Sequence, residues 1–331
     1  MTKLRVGIIG LGLGRRRAAG FAQNEAAQVC ALCDVDGDKV KAVLEEHPGA
    51  NGYSDYEEML RAEKLDIVDV ATPDWLHLEQ CLAALRHECH VLLEKPMVTS
   101  LHDAATLVDE VEKSGMQLMV GQNYRRTPIP ALTKQLIEDG TLGTVFHVVT
   151  DHLADKRRQF ARAPWYASSE HPRAALLGTG IHAVDMVRWL GGEVEEAFGY
   201  GNHMAYEEFP DDDFTVALYR LSNGAIGRVV VAYGAILPPG AGSMKITVYG
   251  SKGTVMDGKL FTDADEGGEW REPPLPELKD SFWAEVDHFL ECLQTDTRPI
   301  VDVREGARNV AACLAAVEAA RTARPVAPAR F

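Results

Sequence analysis

The sequence predicts a doubly wound parallel α/β sheet, followed by an α+β domain with a large open, mostly antiparallel sheet. Three observations predict it. From residue 4 to about 121, short apolar runs alternate with amphipathic stretches, the pattern of parallel βαβ units. The first run, Val6-Gly7-Ile8-Ile9, passes directly into Gly10-Leu11-Gly12-Leu13-Gly14. After about residue 122, strands separated by turn signals take over and helical periods become sparse. At 331 residues the chain exceeds one core of ordinary size, so two domains are expected, 1–122 and 123–331.

In the first part, strands are expected at Leu4–Ile9, Val29–Cys33, Ile67–Ala71, His90–Leu93 and Gln117–Val120. The clearest helix carries Leu101, Ala104, Ala105, Leu107, Val108 and Val111 at helical spacing, with Ser100 and Asp103 as its cap and Gly115 as its stop. In the second part a helix over Ile129–Asp139 ends at Gly140, a strand follows at Gly143–Thr150, and a helix over Ile181–Leu190 closes at Gly191-Gly192. Phe214–Leu221, Ala225–Ala235, Lys245–Tyr249 and Thr254–Met256 then read as an antiparallel meander, with turns at Ser222-Asn223-Gly224 and Ser251-Lys252-Gly253. Helices near Phe282–Leu293 and Glu305–Arg321 finish the chain, and Pro238-Pro239-Gly240-Ala241-Gly242 reads as a loop between strands.

Hydrophobic content of 46% and charged content of 25% are those of a soluble globular protein. No apolar run approaches the roughly 18 residues of a membrane span. The N-terminus enters a strand directly after Met1-Thr2-Lys3, without signal-peptide architecture, so a cytoplasmic location is expected. A net charge of −15 repels phosphate backbones and acidic membranes, which excludes nucleic acid and membrane as expected partners. The six cysteines show no metal-ligand spacing, and no metal is expected. Cys30-Ala-Leu-Cys33 lies in a strand, where positions three apart face opposite sides, and reads as buried reduced thiols.

Gly10 and Gly12 stand where a strand must turn sharply into a helix whose N-terminus supplies donors and positive potential. Side chains there would block the approach of a pyrophosphate. In G-x-G-x-x-G the third glycine would fall at Arg15, whereas Gly14 comes one residue early. Arg15, Arg16 and Arg17 occupy the first helical turn, where cations are disfavoured by about 0.3–1 kcal/mol each. A bound anion would offset that, but Arg16 and Arg17 read as solvated surface charges. Asp34, 20 residues past Gly14, closes the second strand. A carboxylate there accepts hydrogen bonds from both adenosine ribose hydroxyls and repels a 2′-phosphate, favouring NAD over NADP. The competing reading is a turn-forming Asp in Asp34-Val35-Asp36-Gly37. Glu94-Lys95-Pro96 ends a later strand, so Lys95 points toward the crevice in which open α/β sheets bind ligands. The X-Pro bond in such a turn is a candidate cis peptide.

These residues, with Ala71-Thr72-Pro73 and His77, Val120-Gly121 leading to Tyr124-Arg125, Gly180-Ile181-His182-Ala183-Val184-Asp185 and Gly250-Ser251-Lys252-Gly253-Thr254, give the chain its resemblance. It resembles the Gfo/Idh/MocA oxidoreductases, the family of glucose–fructose oxidoreductase and inositol dehydrogenase, over essentially its whole length. The resemblance implies a Rossmann domain binding NAD and a second domain whose open sheet mediates homodimers or homotetramers. It assigns Lys95 to the reacting hydroxyl and the nicotinamide region, and His182 to acid/base chemistry. That division is chemically reasonable, because hydride leaves a secondary alcohol carbon only as the hydroxyl proton leaves. A nearby cation stabilises the developing alkoxide. His182 lies in a first helical turn, where the dipole favours the neutral imidazole a base needs.

By the same resemblance Gly10, Leu11, Gly12, Leu13, Gly14, Asp34, Thr72, Pro73, His77, Glu94, Lys95 and Trp165 bind the cofactor. Asn123, Tyr124, His152 and Tyr233 line the substrate pocket. Asp74 reads as an N-cap with His77 behind it. Family dehydrogenases usually carry an Asp four residues before the histidine, and here that position is Gly178. Asp151 and Asp155 are the nearest substitutes for it. Asp185, on the face of His182, reads equally as a helix buttress, and Asp211-Asp212-Asp213 as a solvated turn. The expected activity is hydride transfer between NAD and a secondary hydroxyl or ketone of a sugar, polyol or related small molecule. Two alternatives stay open, a glycosidase or lyase that oxidises its sugar transiently with tightly bound NAD, and a non-enzymatic dinucleotide-sensing regulator.

Overall fold

The computed structural model describes residues 3–238, 244–265 and 267–331. In chain order the elements are β1 (Leu4–Ile9), α1 (Gly14–Gln23), β2 (Ala27–Cys33), α2 (Gly37–Leu44), β3 (Asn51–Tyr53), α3 (Tyr56–Ala62), β4 (Ile67–Val70), α4 (His77–Arg86), β5 (His90–Leu93), α5 (Leu101–Ser114) and β6 (Leu118–Val120). There follow α6 (Pro128–Glu138), β7 (Val145–Leu153), α7 (Arg157–Arg162), α8 (Ala175–Gly178), α9 (Ile181–Gly191), β8 (Val194–Asn202), β9 (Phe214–Leu221), β10 (Ile226–Ala232), β11 (Met244–Gly250), β12 (Gly253–Met256), β13 (Lys259–Thr262), α10 (Ser281–Thr295) and α11 (Val303–Thr322). They form two compact units. One comprises Met1–Asn123 with Leu278–Ala307 and Phe331, the other Tyr124–Glu277 with Arg308–Arg330.

The first unit is a six-stranded sheet of order β3-β2-β1-β4-β5-β6, parallel throughout. The strand order reverses between β1 and β4, and ligands bind outside the carboxyl ends of strands at such a switch point. Ile8, Leu32, Ile67 and Leu92 are fully buried, as expected of strands covered on both faces. The α5 caps are as expected: Ser100 Oγ accepts from Asp103 N–H at 3.0 Å, and Gly115 takes φ +71°. β3, with the polar sequence Asn-Gly-Tyr, gives no periodic signal and was not expected. Nor was the return of α10 to this unit, where Val286, Phe289 and Leu290 join the core of Val6, Ile8 and Phe21. α10 lies close on α1 because Gly20 has no side chain: a Cβ there would meet Trp283 at 3.0 Å.

The second unit holds a seven-stranded sheet of order β13-β12-β11-β7-β10-β9-β8. It is not a simple meander. β7, first in sequence, lies between β11 and β10 and pairs parallel with β10, while the other pairings are antiparallel. The buried α9 covers one face. Its approach is close because Gly227 leaves the space of a Cβ that would sit 2.3 Å from Val187. The opposite face exposes Phe146, Tyr200, Leu218, Ile226 and Met256. β8 and β13 were not expected; β8 turns Ala197 and Gly199 inward, so its alternation is inverted relative to an apolar-in pattern. The expected loop over residues 238–242 lies, beyond Pro238, outside the described residues. Among the described residues no helix is long and apolar enough to cross a membrane, and the six cysteines are buried and form no disulfide.

Candidate functional site

The glycine turn sits at the switch point, and each glycine has a separate reason. Gly10 takes φ +90°, and a Cβ there would lie 2.6 Å from Ala71 O, so the turn after β1 passes against the backbone that follows β4. Gly12 has nothing within 4 Å of its Cβ position: its backbone faces open space that a side chain would fill. Gly14 begins α1, and a Cβ there would meet Ile8 Cγ2 at 2.8 Å and Ala71 Cβ at 3.3 Å. It therefore does the helix-to-sheet packing that the fingerprint assigns to its third glycine, one residue early. Leu11 is buried and Leu13 is 38% exposed.

Asp34 follows β2 and serves two structural purposes. Its Oδ2 accepts from Leu11 N–H at 2.8 Å and its Oδ1 from Asp36 N–H at 2.9 Å, so it pins the glycine turn as well as shaping its own. Each oxygen retains a second lone pair for a ribose hydroxyl. An open cradle at Gly12 and an acceptor carboxylate at the end of β2 together fit a dinucleotide.

The arginine run divides: Arg15 and Arg16 are exposed, as expected of Arg16, whereas Arg17 is not the surface charge it was read as. Arg15 pairs with Glu46, and Arg16 pairs with Asp280 at 2.7 Å while its guanidinium lies 4.2 Å over the Phe282 ring. Arg17 is wholly buried: Nη1 is 2.9 Å from Asp69 Oδ1, and Nη2 is 2.8 Å from Glu94 Oε1 and 3.5 Å from Glu285 Oε2. Burial pushes the Asp69 carboxyl up to about 6, against the lowering effect of Arg17.

Lys95 is half-buried beyond β5, and the Lys95–Pro96 peptide is cis. Glu94 Oε2 accepts from Lys95 N–H at 3.0 Å, so the Glu94 carboxylate is engaged within the protein on both oxygens. His77 is also a support. Its Nδ1 lies 2.9 Å from Pro96 O and its Nε2 3.0 Å from Thr72 O, joining the turn after β4 to the turn after β5. Burial lowers its pKa, opposed by Asp74 and by the two carbonyls. Thr72 Oγ1 donates to Gln80 Oε1 at 2.6 Å, and Pro73 precedes a 3-10 turn, Asp74–Leu76. Asp74 lies inside that turn rather than capping α4. Asn123 Nδ2 donates to Ser281 Oγ at 3.2 Å in the first unit.

In the second unit the structure brings Tyr124, His152 and His182 together. The Tyr124 ring centroid lies 4.6 Å from that of His182 and 5.9 Å from that of His152, and all three side chains are largely buried. Burial pushes the Tyr124 phenol up. Asp185 is a buttress: it accepts from Arg125 at 2.8 and 2.6 Å and from Asn309 Nδ2 at 2.7 Å. Tyr233 accepts from Thr179 N–H at 2.8 Å, and a Cβ on Gly178 would stand 2.5 Å from the Tyr233 hydroxyl and 3.2 Å from Arg173 Nε. A phenol and a guanidinium thus border the position where relatives carry a carboxylate. Neither expected substitute stands there. Asp151 pairs with Arg228 at 2.7 Å, on the strand face opposite His152, and Asp155 pairs with Arg157 at 2.6 Å. Trp165 belongs to this unit, stacked on Tyr166 at 3.7 Å with Arg173 5.3 Å from its ring. Arg17 and Arg173 are the residues that sequence reasoning missed. The helical period from Gly14 would have placed Arg17 on the buried face; Arg173 gave no signal.

A parallel sheet of this order, with a glycine turn at its switch point and a carboxylate ending the second strand, defines a dinucleotide-binding protein of the oxidoreductase type. Residues 4–122 match the profile described as oxidoreductase family, NAD-binding Rossmann fold, and residues 131–256 that of the GFO/IDH/MocA C-terminal domain. The chain belongs to the Gfo/Idh/MocA oxidoreductase family, and NAD is its cofactor. It is 28% identical to the myo-inositol 2-dehydrogenase of Thermotoga maritima, over 92% of each chain. It is 25% identical to a D-apiose dehydrogenase of Paraburkholderia graminis, over 98% of this chain and 90% of that one. Among solved structures it superposes on the WlbA dehydrogenase of Bordetella pertussis, in complex with NADH and UDP-GlcNAcA, with TM-score 0.86, 26% identity and 99% coverage of both.

Proposed function

We propose that the chain oxidises a secondary hydroxyl of a sugar, polyol or related small molecule with NAD, or reduces the matching ketone. The observation that carries this reading is the Glu94-Lys95-Pro96 turn, a half-buried ammonium at the carboxyl end of β5 in a sheet whose switch point holds the glycine turn. NAD, when bound, supplies the hydride acceptor. The backbone of Gly10–Gly14 admits the pyrophosphate, and Asp34 takes the ribose hydroxyls. His182 takes the hydroxyl proton, and Lys95 stabilises the negative charge left on that oxygen. Tyr124 and His152 hold the substrate beside His182, and Tyr233 and Arg173 replace the missing carboxylate of relatives with hydrogen-bond donors.

The exposed aromatic and aliphatic face of the mixed sheet supports pairing with a second copy of this chain, as a homodimer or homotetramer.

The test incubates the protein with NAD and a panel of polyols, aldoses, sugar acids and glycosides, following 340 nm absorbance and product together. NADH formed in step with one substrate is the expected result. Product without net NADH would show transient oxidation instead, and NAD binding with silence on both channels would show a sensor. Lys95→Ala is expected to abolish turnover and retain NAD binding; retained turnover would remove Lys95 from the chemistry.

A further inference from the structure

The sheet of the first unit does not need a buried charge, yet Arg17 on α1 is among its largest fully buried side chains. It faces three carboxylates from three elements: Asp69 on β4, Glu94 at the end of β5 and Glu285 on α10. Hydrophobic residues of similar volume are commonly at least as stable in such a position, so burial of this kind is weak evidence for a stabilising role. Its geometry is informative in a different way. Gly121 leaves the arginine its room, since a Cβ there would stand against Arg17 Nη2. The Glu94 carboxylate spans two partners: Oε1 takes the guanidinium, and Oε2 takes the backbone N–H of Lys95. From the other flank His77 holds the carbonyl of Pro96 at 2.9 Å. The segment carrying Lys95 is therefore tied on both sides to buried groups.

We propose that Arg17 is a positioning residue for Lys95: by fixing the Glu94 carboxylate it fixes the Lys95 peptide, and with it the origin of the ammonium. The two spare carboxylates of the cluster, Asp69 and Glu285, keep the guanidinium charged and centred between β4 and α10 while Glu94 is used outward. The proposal rests on the reading of Lys95 as the cation at the reacting hydroxyl.

Two variants test it, Arg17→Lys, which keeps the charge and loses the planar fork, and Glu94→Gln, which keeps shape and loses the charge. The first readout is hydrogen exchange at the Lys95 amide, which needs no substrate and is easily isolated because Pro96 has none. Exchange at least tenfold faster than in the parent is expected in both variants, with amides of β1 and β4 unchanged; exchange within twofold would overturn the clamp. The second readout is turnover with myo-inositol and with whichever panel compound gives most NADH. A kcat lower by tenfold or more is expected in both variants with KM within about threefold, and in Arg17→Lys with NAD affinity within about threefold as well. Parental kcat in a folded variant would overturn the positioning role. Should Lys95→Ala retain turnover, or the parent show none, the catalytic reading fails while the exchange result still decides the clamp. If Arg17→Lys does not fold, Glu94→Gln alone carries both readouts.

Discussion

Replacing Gly10 and Gly12 one at a time by alanine separates what folding needs from what the cofactor needs. At Gly10 the φ of +90° costs an L-residue about 1–2 kcal/mol. A methyl group there would also stand 2.6 Å from a backbone oxygen and 2.7 Å from its carbon, so the turn after β4 must shift, at about 1–3 kcal/mol. The sum, about 2–5 kcal/mol, corresponds to a fall in Tm of about 4–20 °C for a unit of roughly 150 residues. At Gly12 the backbone is outside the left-handed region and the Cβ position meets no atom within 4 Å, so stability should stay within about 0.5 kcal/mol of the parent. The same methyl group projects into the space the pyrophosphate requires and should weaken NAD binding about 10- to 100-fold. Thermal unfolding without cofactor, followed by NAD titration calorimetry, reads both quantities. A Gly12→Ala variant that melts as early as Gly10→Ala, or that binds NAD within threefold of the parent, would refute the reasoning.

Asp69→Asn should remove a pH dependence. With a folded pKa of about 6 against 3.8 unfolded, the parent keeps a proton that the unfolded chain releases, so this group's contribution to stability declines from pH 4 to 6 and stays low above it. The Tm difference between variant and parent should therefore rise across that window and level off, and a flat difference would contradict the buried-acid assignment. Gly178→Ala should lose about 1–3 kcal/mol through the Tyr233 hydroxyl, and pairing it with Tyr233→Phe should recover part of the loss; additive losses in this cycle would show that the two do not touch. Asp185→Ala should lose about 3–5 kcal/mol by stranding the buried Arg125, and a stable variant with impaired turnover alone would move Asp185 from buttress to chemistry. Saturating NAD at 100 times its Kd should raise unfolding stability by about 2.7 kcal/mol, a gain that Asp34→Ala should largely forfeit at the same concentration.

The parallel sheet was legible because its strands are buried on both faces and its helices are amphipathic, so local pattern and tertiary role agree. β1, β5 and β9 match their expected bounds to the residue. The failures share a cause. β8 turns small residues inward at Ala197 and Gly199, where a Cβ on Gly199 would meet Val216 O at 2.6 Å, and its large apolar residues Phe198 and Tyr200 outward, so its alternation is inverted. The place of β7 beside β10 is decided by pairing between residues some 80 apart, such as His147 with Ile226, and no local window contains that choice. α10 returns to the first unit through contacts more remote still in sequence, such as that of Gly20 with Trp283.

The site was legible wherever the backbone itself does the work: the glycine turn, the carboxylate after β2 and the lysine after β5 all follow from strand ends at a switch point. It was misread where residue type was allowed to outweigh period. Arg17 stands three residues after Gly14 and four before Phe21, and with Ala18 these residues form the buried stripe of α1. The helical period thus placed the arginine inside. A cation so placed requires acids, and the parallel sheet has few points from which to supply them; Asp69 within β4 and Glu94 just past β5 are two, and both were visible as carboxylates interrupting apolar strands. Read together, period and charge would have tied Arg17 to Glu94 from the sequence, and Glu94 is the neighbour of the one lysine that the proposed chemistry requires to be held still.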